Sequence, residues 1–442
     1  MSVGVPSDGA WSEGVSSERA RLAGASSDDV PSDGAWSEGV SSERARLAGA
    51  SSDDVPSASA RPVGASSGRV PRIAVVGAGA NGAAIAADLV RGGHDVEIID
   101  PWAANVDAIR RRGVEVERAG GVVSTTVTAH HVSDVATLRA PYDIVLVGVK
   151  AYDTRWAVEL VRPLVAADGV VVGVQNGMTV PQIEAVVGPD RTLGCVIEVA
   201  AEMFVPGRVR QQTPMWFAVG AVGAASVVGA ASVAGAVGVV DAARAVGAAA
   251  ARRLERVVPV LASAGTVTVS DDIVSSKWMK LVANAAELVT SAVLDLPLAD
   301  AVRVDGMHDV MREAGAEAAR VAIAGGRRLV PVFDVDVPQG RTPEGYAADL
   351  LDGVLGSYTL PDTLTTVLQD WRKGRRAEIE ELNGHVVREG ARLGIPTPVN
   401  ERVLAVARRV EAGVLAASPE NASLLCGDRG DDGARGHRGG GV

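Results

Sequence analysis

The sequence predicts an α/β domain built on a doubly wound, mainly parallel sheet, followed by an all-α C-terminal domain. A short apolar strand, Ile73–Val76, runs into a glycine-rich turn and then into helical spacing. Strand and helix patterns go on alternating as far as Val174, the order that builds parallel sheets. From Asp271 onward the apolar spacing is helical almost throughout.

A chain of 442 residues, 47% of them hydrophobic, has room for two or three domains with ample core. Its net charge of -11 argues against nucleic acid or an anionic membrane as partner. Cys195 and Cys426 are far apart, and no signal-peptide pattern precedes them, so they read as free thiols of a cytoplasmic protein. Neither they nor the 6 histidines have metal-ligand spacing, and no metal is expected. Residues 6–30 recur unchanged at 31–55, rich in Ser, Gly, Asp and Ala. Two such copies have too little apolar surface to stack, so 1–69 read as a disordered duplicated segment.

The first folded domain is expected over 70–270. Gly77-Ala78-Gly79-Ala80-Asn81-Gly82 follows the first strand and opens a helix reaching Arg91. Glycines allow close backbone approach, and a helix N-terminus offers free N–H groups and partial positive charge, so this turn is a cradle for a pyrophosphate. A second strand, Asp95–Ile99, ends in Asp100, at the spacing of a carboxylate that grips ribose hydroxyls and favours NAD by repelling a 2′-phosphate. The ordinary alternative is an Asp at a strand end. A helix at 103–112, a hairpin at 114–128, a strand at 143–149, a helix at 154–166 and a strand at 170–174 continue the doubly wound, parallel-sheet pattern. Lys150 and Asn176 fall just past the carboxyl ends of two strands, the edge where open α/β sheets bind ligands.

Strands are expected at 192–199, 207–212 and 215–220. The uncharged Ala/Gly/Val/Ser run at 221–240 has little beyond valine to drive membrane insertion and reads as a flexible low-complexity insertion. A helix over 241–264 and a strand at Thr266–Val269 complete the domain.

The helical domain is expected over 271–417, as substrate and catalytic domain, with a disordered tail from 418 to 442. The chain has four lysines, Lys150, Lys277, Lys280 and Lys373, among 43 Lys+Arg. Against that bias a retained lysine suggests proton chemistry, which arginine cannot perform. In Ser276-Lys277-Trp278-Met279-Lys280-Leu281-Val282-Ala283-Asn284, Lys280 and Asn284 share one helical face, an amine beside an amide. A solvated lysine on an amphipathic helix is the ordinary alternative. A long helix is expected over 298–324, a loop over 331–342 and a short helix over 343–351. Over 361–394, Thr366, Asp370, Gly374 and Glu378 recur every four residues as one helical stripe, which flanking arginines could simply neutralise.

Lys150-Ala-Tyr-Asp-Thr154, Gln175-Asn-Gly-Met178, Lys277-Trp-Met-Lys-Leu-Val-Ala-Asn284, Gln369-Asp370 with Arg375-Arg376-Ala-Glu378, and Gly394-Ile-Pro-Thr-Pro-Val-Asn400, with the glycine turn, resemble the ketopantoate reductases (2-dehydropantoate 2-reductases) over about residues 72–415. The resemblance implies a Rossmann domain and a helical domain with the active site between them, and NAD(P)H-dependent reduction of 2-dehydropantoate to (R)-pantoate. It makes Lys280 the general acid at the substrate carbonyl and Asn284 a substrate ligand. Glu378 becomes the carboxylate that positions the lysine or the new hydroxyl. Thr366, Asp370 and Asn176 are implied to bind substrate, with Lys150 and Asn176 beside the nicotinamide.

Three departures from the family pattern bear on specificity. Leu288 stands where the family usually has a second Asn, making that end of the pocket more apolar. Thr366 stands in place of a Ser, and Asp100 sits where a family that usually prefers NADP has a basic or neutral residue. A reductase of a more apolar 2-oxo acid, or of an imine as in opine-type enzymes, is therefore the enzymatic alternative. A dinucleotide-binding protein without turnover is the non-enzymatic one. The oligomeric state is left open, a homodimer being compatible with the sequence.

Overall fold

The computed structural model describes residues 70–222, 237–333 and 335–427. The duplicated N-terminal segment and most of the uncharged 221–240 run lie outside the described residues.

In chain order the strands are β1 Arg72–Val76, β2 Asp95–Asp100, β3 Val114–Arg118, β4 Gly121–Thr125, β5 Thr128–His131, β6 Tyr142–Val147, β7 Val165–Gly173, β8 Thr192–Glu198, β9 Ala201–Val205, β10 Arg208–Gln211, β11 Trp216–Ala221 and β12 Thr266–Val269. Eight of them form one sheet in the order β12-β11-β8-β7-β6-β1-β2-β5. Every neighbouring pair in it is parallel except β8 with β11. β1 lies inside it, with Ile73–Val76 at most 1% exposed. Alternation along β1 sends Ile73 and Val75 to one face and Ala74 and Val76 to the other. The first face packs against α1 (Ala80–Arg91), α2 (Ala103–Arg112) and α5 (Val237–Leu261); the second takes α3 (Thr154–Val161) and α4 (Val180–Val187). This is the doubly wound α/β arrangement that the sequence predicts.

Helix α5 begins inside the stretch read as an insertion, four residues before the expected start at Asp241. Helix α4 and strand β9 are absent from the sequence reading. With β9, the expected hairpin joins a separate four-stranded sheet of order β4-β3-β10-β9.

The helical domain is organised on α6 (Ile273–Ala292), in which every residue but Val274 is buried. A helix buried all round belongs in a core rather than on its edge. Asp272 caps it, accepting the Ser275 N–H at 3.1 Å. Around it pack α7 (Leu298–Ala301), α8 (Met307–Ala324), α9 (Pro343–Ser357), α10 (Thr366–Arg372), α11 (Asn383–Leu393) and α12 (Pro398–Glu411).

Three expectations are corrected here. The single long helix over 298–324 is two, because a turn through Gly306, at φ 79°, separates α7 from α8. The stripe over 366–378 is not one helical face: α10 stops at Arg372, and Gly374 at φ 65° turns the chain before Glu378. The disordered tail does not begin at 418. α13 (Ala422–Cys426) follows, with Leu425 fully buried, and the Ser418 N–H and Asn421 Nδ2 donate to the Val293 carbonyl just past α6 at 3.1 and 2.9 Å. Only 428–442 of that tail lie outside the described residues.

Candidate active site

The glycine turn forms as a close-fitting backbone loop. Gly77 has φ +97°, and a Cβ there would come within 2.6 Å of the Val149 amide nitrogen. Gly82 would place a Cβ 1.9 Å from the Gly77 carbonyl oxygen, so neither position admits a side chain. At Gly79, by contrast, the Cβ direction is open space. α1 starts there without a side-chain cap, leaving first-turn N–H groups for a ligand. This donor set, with room at Gly79, fits a dinucleotide pyrophosphate at Gly77, Gly79, Ala80, Asn81 and Gly82.

Asp100 lies against this turn. Its carboxylate accepts the Ala78 N–H at 2.5 Å and the Trp102 N–H at 2.8 Å. Burial pushes its carboxyl above the usual range, against the lowering effect of those bonds and of the Arg375 charge. Arg375 comes from the segment after α10 and stacks its guanidinium 4.2 Å from the centre of the Trp102 ring. The carboxylate expected to meet the cofactor ribose is thus already bonded to backbone and has a cation nearby.

A cleft partly open to solvent lies between the two domains. It is lined by Asn81 from the glycine turn, Asn176 beyond β7, Glu198 at the end of β8, Lys280, Asn284, Glu287 and Leu288 from α6, and Thr366 and Gln369 from α10. Of the residues expected to act on substrate, Lys280, Asn284, Asn176 and Thr366 are therefore brought together. Both polar atoms of the Asn284 side chain are buried without a hydrogen-bond partner, as is the Thr366 hydroxyl. Buried polar groups in this state await a ligand or solvent.

The partner of Lys280 is one the sequence reading missed. Its ammonium pairs with the Glu198 carboxylate, and it stands 4.6 Å from the centre of the Phe333 ring. Glu198 was visible as a lone charge in the apolar strand Thr192–Val199, and Glu287 as a lone carboxylate in the apolar helix after Lys280. Burial pushes the Glu287 carboxyl up to about 8, opposed in part by the Lys280 charge.

Glu378, expected to position the lysine or the new hydroxyl, does not meet Lys280, and Asp370, expected on the substrate, does not line the cleft, a correction to the expected site. They converge on Lys150, whose Nζ donates to Asp370 at 2.5 Å and to Glu378 at 3.3 Å. The other Glu378 oxygen accepts the Ala151 N–H at 2.7 Å. Burial alone would lower the Lys150 ammonium, but the charges and bonds of Glu378 and Asp370 outweigh it and raise it. The break at Gly374 explains the arrangement, since two carboxylates on separate segments can approach one amine from two sides. Neither Asp370 nor Glu378 lines the cleft.

Lys277, three residues before Lys280, does not line the cleft. It is buried and donates to the carbonyls of Gln175 and Cys195 at 2.9 and 3.1 Å. Desolvation pushes its ammonium down to about 8. It ties α6 to the strand ends that carry Asn176.

Residues 73–224 match the family model described as ketopantoate reductase PanE/ApbA, and residues 272–411 match its C-terminal partner. The chain belongs to the ketopantoate reductase family. It is 28% identical to the 2-dehydropantoate 2-reductase of Caulobacter vibrioides over 340 residues, 76% of this chain and 97% of that one. The Archaeoglobus fulgidus 2-dehydropantoate 2-reductase is 27% identical over 347 residues, 78% and 100% of the two chains. Among solved structures, a PanE/ApbA family ketopantoate reductase from Ralstonia eutropha aligns with TM-score 0.61 at 28% identity, covering 77% of this chain and 99% of that one. D-mandelate dehydrogenase, solved with NADH and anilino(oxo)acetate, shares the fold with TM-score 0.65 at 20% identity, over 78% and 99%. This ketopantoate reductase family member is accordingly an NAD(P)-dependent oxidoreductase of the 2-dehydropantoate 2-reductase kind. Among the described residues no helix is long and apolar enough to cross a membrane.

Proposed function

We propose that the chain reduces the 2-oxo group of 2-dehydropantoate to (R)-pantoate, with Lys280 as general acid. The observation that carries this reading is the cleft, where Lys280 and Asn284 face the same space as Asn81 of the glycine turn and Asn176. The nicotinamide cofactor supplies the hydride when bound to the turn. Lys280 gives its proton to the carbonyl oxygen, on which negative charge develops during reduction. Asn284 offers both an amide donor and an acceptor to the substrate, and the Thr366 hydroxyl is a ligand for its carboxylate. Asn176 holds the substrate at the nicotinamide end. Glu378 and Asp370 act one step removed, holding Lys150 at the cofactor edge of the sheet. Glu198 aims the Lys280 ammonium.

Steady-state oxidation of NADH and of NADPH with 2-dehydropantoate, in the wild type and in Lys280→Ala, tests the proposal. Turnover that the substitution reduces by at least about a hundredfold supports it. Cofactor binding without turnover of any 2-oxo acid would instead support a dinucleotide-binding protein. A second reading, a reductase of a more apolar 2-oxo acid, is favoured by Leu288, Leu298, Val354 and Leu364, which are among the residues lining the cleft. It predicts faster turnover of such an acid than of 2-dehydropantoate.

A further inference from the structure

Leu288 removes the amide that the family pattern places near the substrate tail, yet this part of the cleft keeps a polar group. Lys280, Asn284, Glu287 and Leu288 all line the cleft from α6, and their spacing places them on one helical face. Glu287 follows Lys280 by two turns, about 10 Å along the axis at about 1.5 Å per residue. Helical side chains lean toward the N-terminus, which turns its carboxyl back along the cleft. It is 4% exposed.

We infer that Glu287 is a specificity-determining residue that, uncharged, receives a hydroxyl group on the tail of the 2-oxo acid. The inference rests on the reductase reading and narrows its substrate class.

Charge balance supports the uncharged form. The titratable groups lining the cleft, among the described residues, are Glu198 from β8, Lys280 and Glu287 from α6, and Tyr358 at the end of α9. Lys280 and Glu198 already cancel as an ion pair. An ionised Glu287 would leave a buried net negative charge, which is costly, and would repel the carboxylate of the substrate. Burial keeps the proton on Glu287 at neutral pH, its carboxyl being pushed up to about 8. In that state it has one O–H donor and a carbonyl acceptor, matching a hydroxyl, which gives one bond and takes another. A site built to bond a hydroxyl rejects the analogue that lacks it, because its own buried group is left unmet, whereas an apolar pocket discriminates weakly.

The test compares 2-dehydropantoate with 3,3-dimethyl-2-oxobutanoate, the same carbon skeleton without the hydroxyl, in the wild type, Glu287→Leu and Glu287→Gln, each saturated with NADH or NADPH. The wild type is expected to favour the hydroxylated acid in kcat/KM by about a hundredfold or more. Glu287→Leu should bring that ratio below about tenfold, mainly by losing kcat/KM for the hydroxylated acid. The wild-type preference should decline above pH 8 as Glu287 ionises, and that of Glu287→Gln should not. NADH fluorescence titration reports whether each variant folds; if the Leu variant fails to bind cofactor, the pH dependence of the Gln variant decides. An unchanged ratio in a folded Leu variant, or the same pH dependence in wild type and Gln variant, overturns the inference while leaving the reductase reading intact. Absence of turnover of either acid by the cofactor-bound wild type defeats the reductase reading, and this inference with it.

Discussion

Lys280 and Glu198 form an ion pair in the substrate cleft, one reaching in from α6, buried at every residue but Val274, and the other from the last residue of β8. The pair fixes the direction of an amine that would otherwise have several rotamers, and the Phe333 ring closes a further side. Glu198→Gln keeps the shape and removes the charge. We expect kcat to fall by about ten- to a hundredfold, less than the ~10²- to 10⁴-fold that general acid catalysis contributes because the acid itself remains, with NADH affinity unchanged. Glu198→Asp should recover part of the loss. Steady-state kinetics beside an NADH titration separate this from a general loss of structure, in which affinity would fall as well.

The Lys150 cluster predicts a different signature. Asp370 is 3% and Glu378 5% exposed, and the two carboxylates share one ammonium. Lys150→Met removes that ammonium and leaves two buried carboxylates without a counter-charge, so it should destabilise the protein by about 3 kcal/mol, read from the denaturant midpoint. Combining it with Glu378→Gln and Asp370→Asn should recover part of that, because no charge is then left behind. Glu378→Gln alone leaves Lys150 paired with Asp370 and should cost less. If Glu378→Gln abolished turnover with stability intact, Glu378 would belong to the chemistry directly.

Much of this site was legible because local sequence order carried it. The glycine turn and the Lys280–Asn284 spacing each depend on a few consecutive residues, and both fold as read. What failed depended on where the chain bends. Extending the four-residue spacing from Thr366 to Glu378 assumed an unbroken helix, and Gly374 ended it, so Glu378 arrived at Lys150 instead of Lys280. Glu198 was hidden for the opposite reason: its partner is 82 residues away, and no local pattern announces a pairing between a strand end and a helix. A single carboxylate in an otherwise apolar strand was the available sign. The ordered α13 escaped because it is a single short helical turn before a Gly/Asp/Arg-rich stretch, held by the burial of Leu425 and by the bonds of Ser418 and Asn421 to the Val293 carbonyl.

Glu287 also gives a pH dependence of stability. Its carboxyl is pushed up to about 8 in the folded protein, from an unfolded value of 4.5. The folded state therefore holds a proton that the unfolded state has released between those limits. The contribution is fully present below pH 4.5 and is lost as pH rises toward and through 8. Glu287→Gln should flatten that decline by an amount on the order of a few kcal/mol. Denaturation midpoints of the two proteins, taken in parallel from pH 4.5 to 8.5, measure the difference; parallel curves would mean that Glu287 ionises normally in the fold.

Cofactor choice turns on Arg375. Alone, Asp100 would disfavour a 2′-phosphate, yet its two oxygens are taken by the Ala78 and Trp102 N–H groups, and the charge of Arg375 reaches it. Arg375 is exposed and held by the Trp102 ring, so it is free to bond a phosphate without breaking a buried ion pair. Removing it leaves Asp100 as the nearest charge identified at this end. Arg375→Ala should therefore lower kcat/KM for NADPH about tenfold more than for NADH, the equivalent of about 1.4 kcal/mol. The difference should shrink at high salt, because an exposed cation is screened. Equal losses with both cofactors would instead assign Arg375 to stacking on Trp102 alone, and leave the preference to the carboxylate.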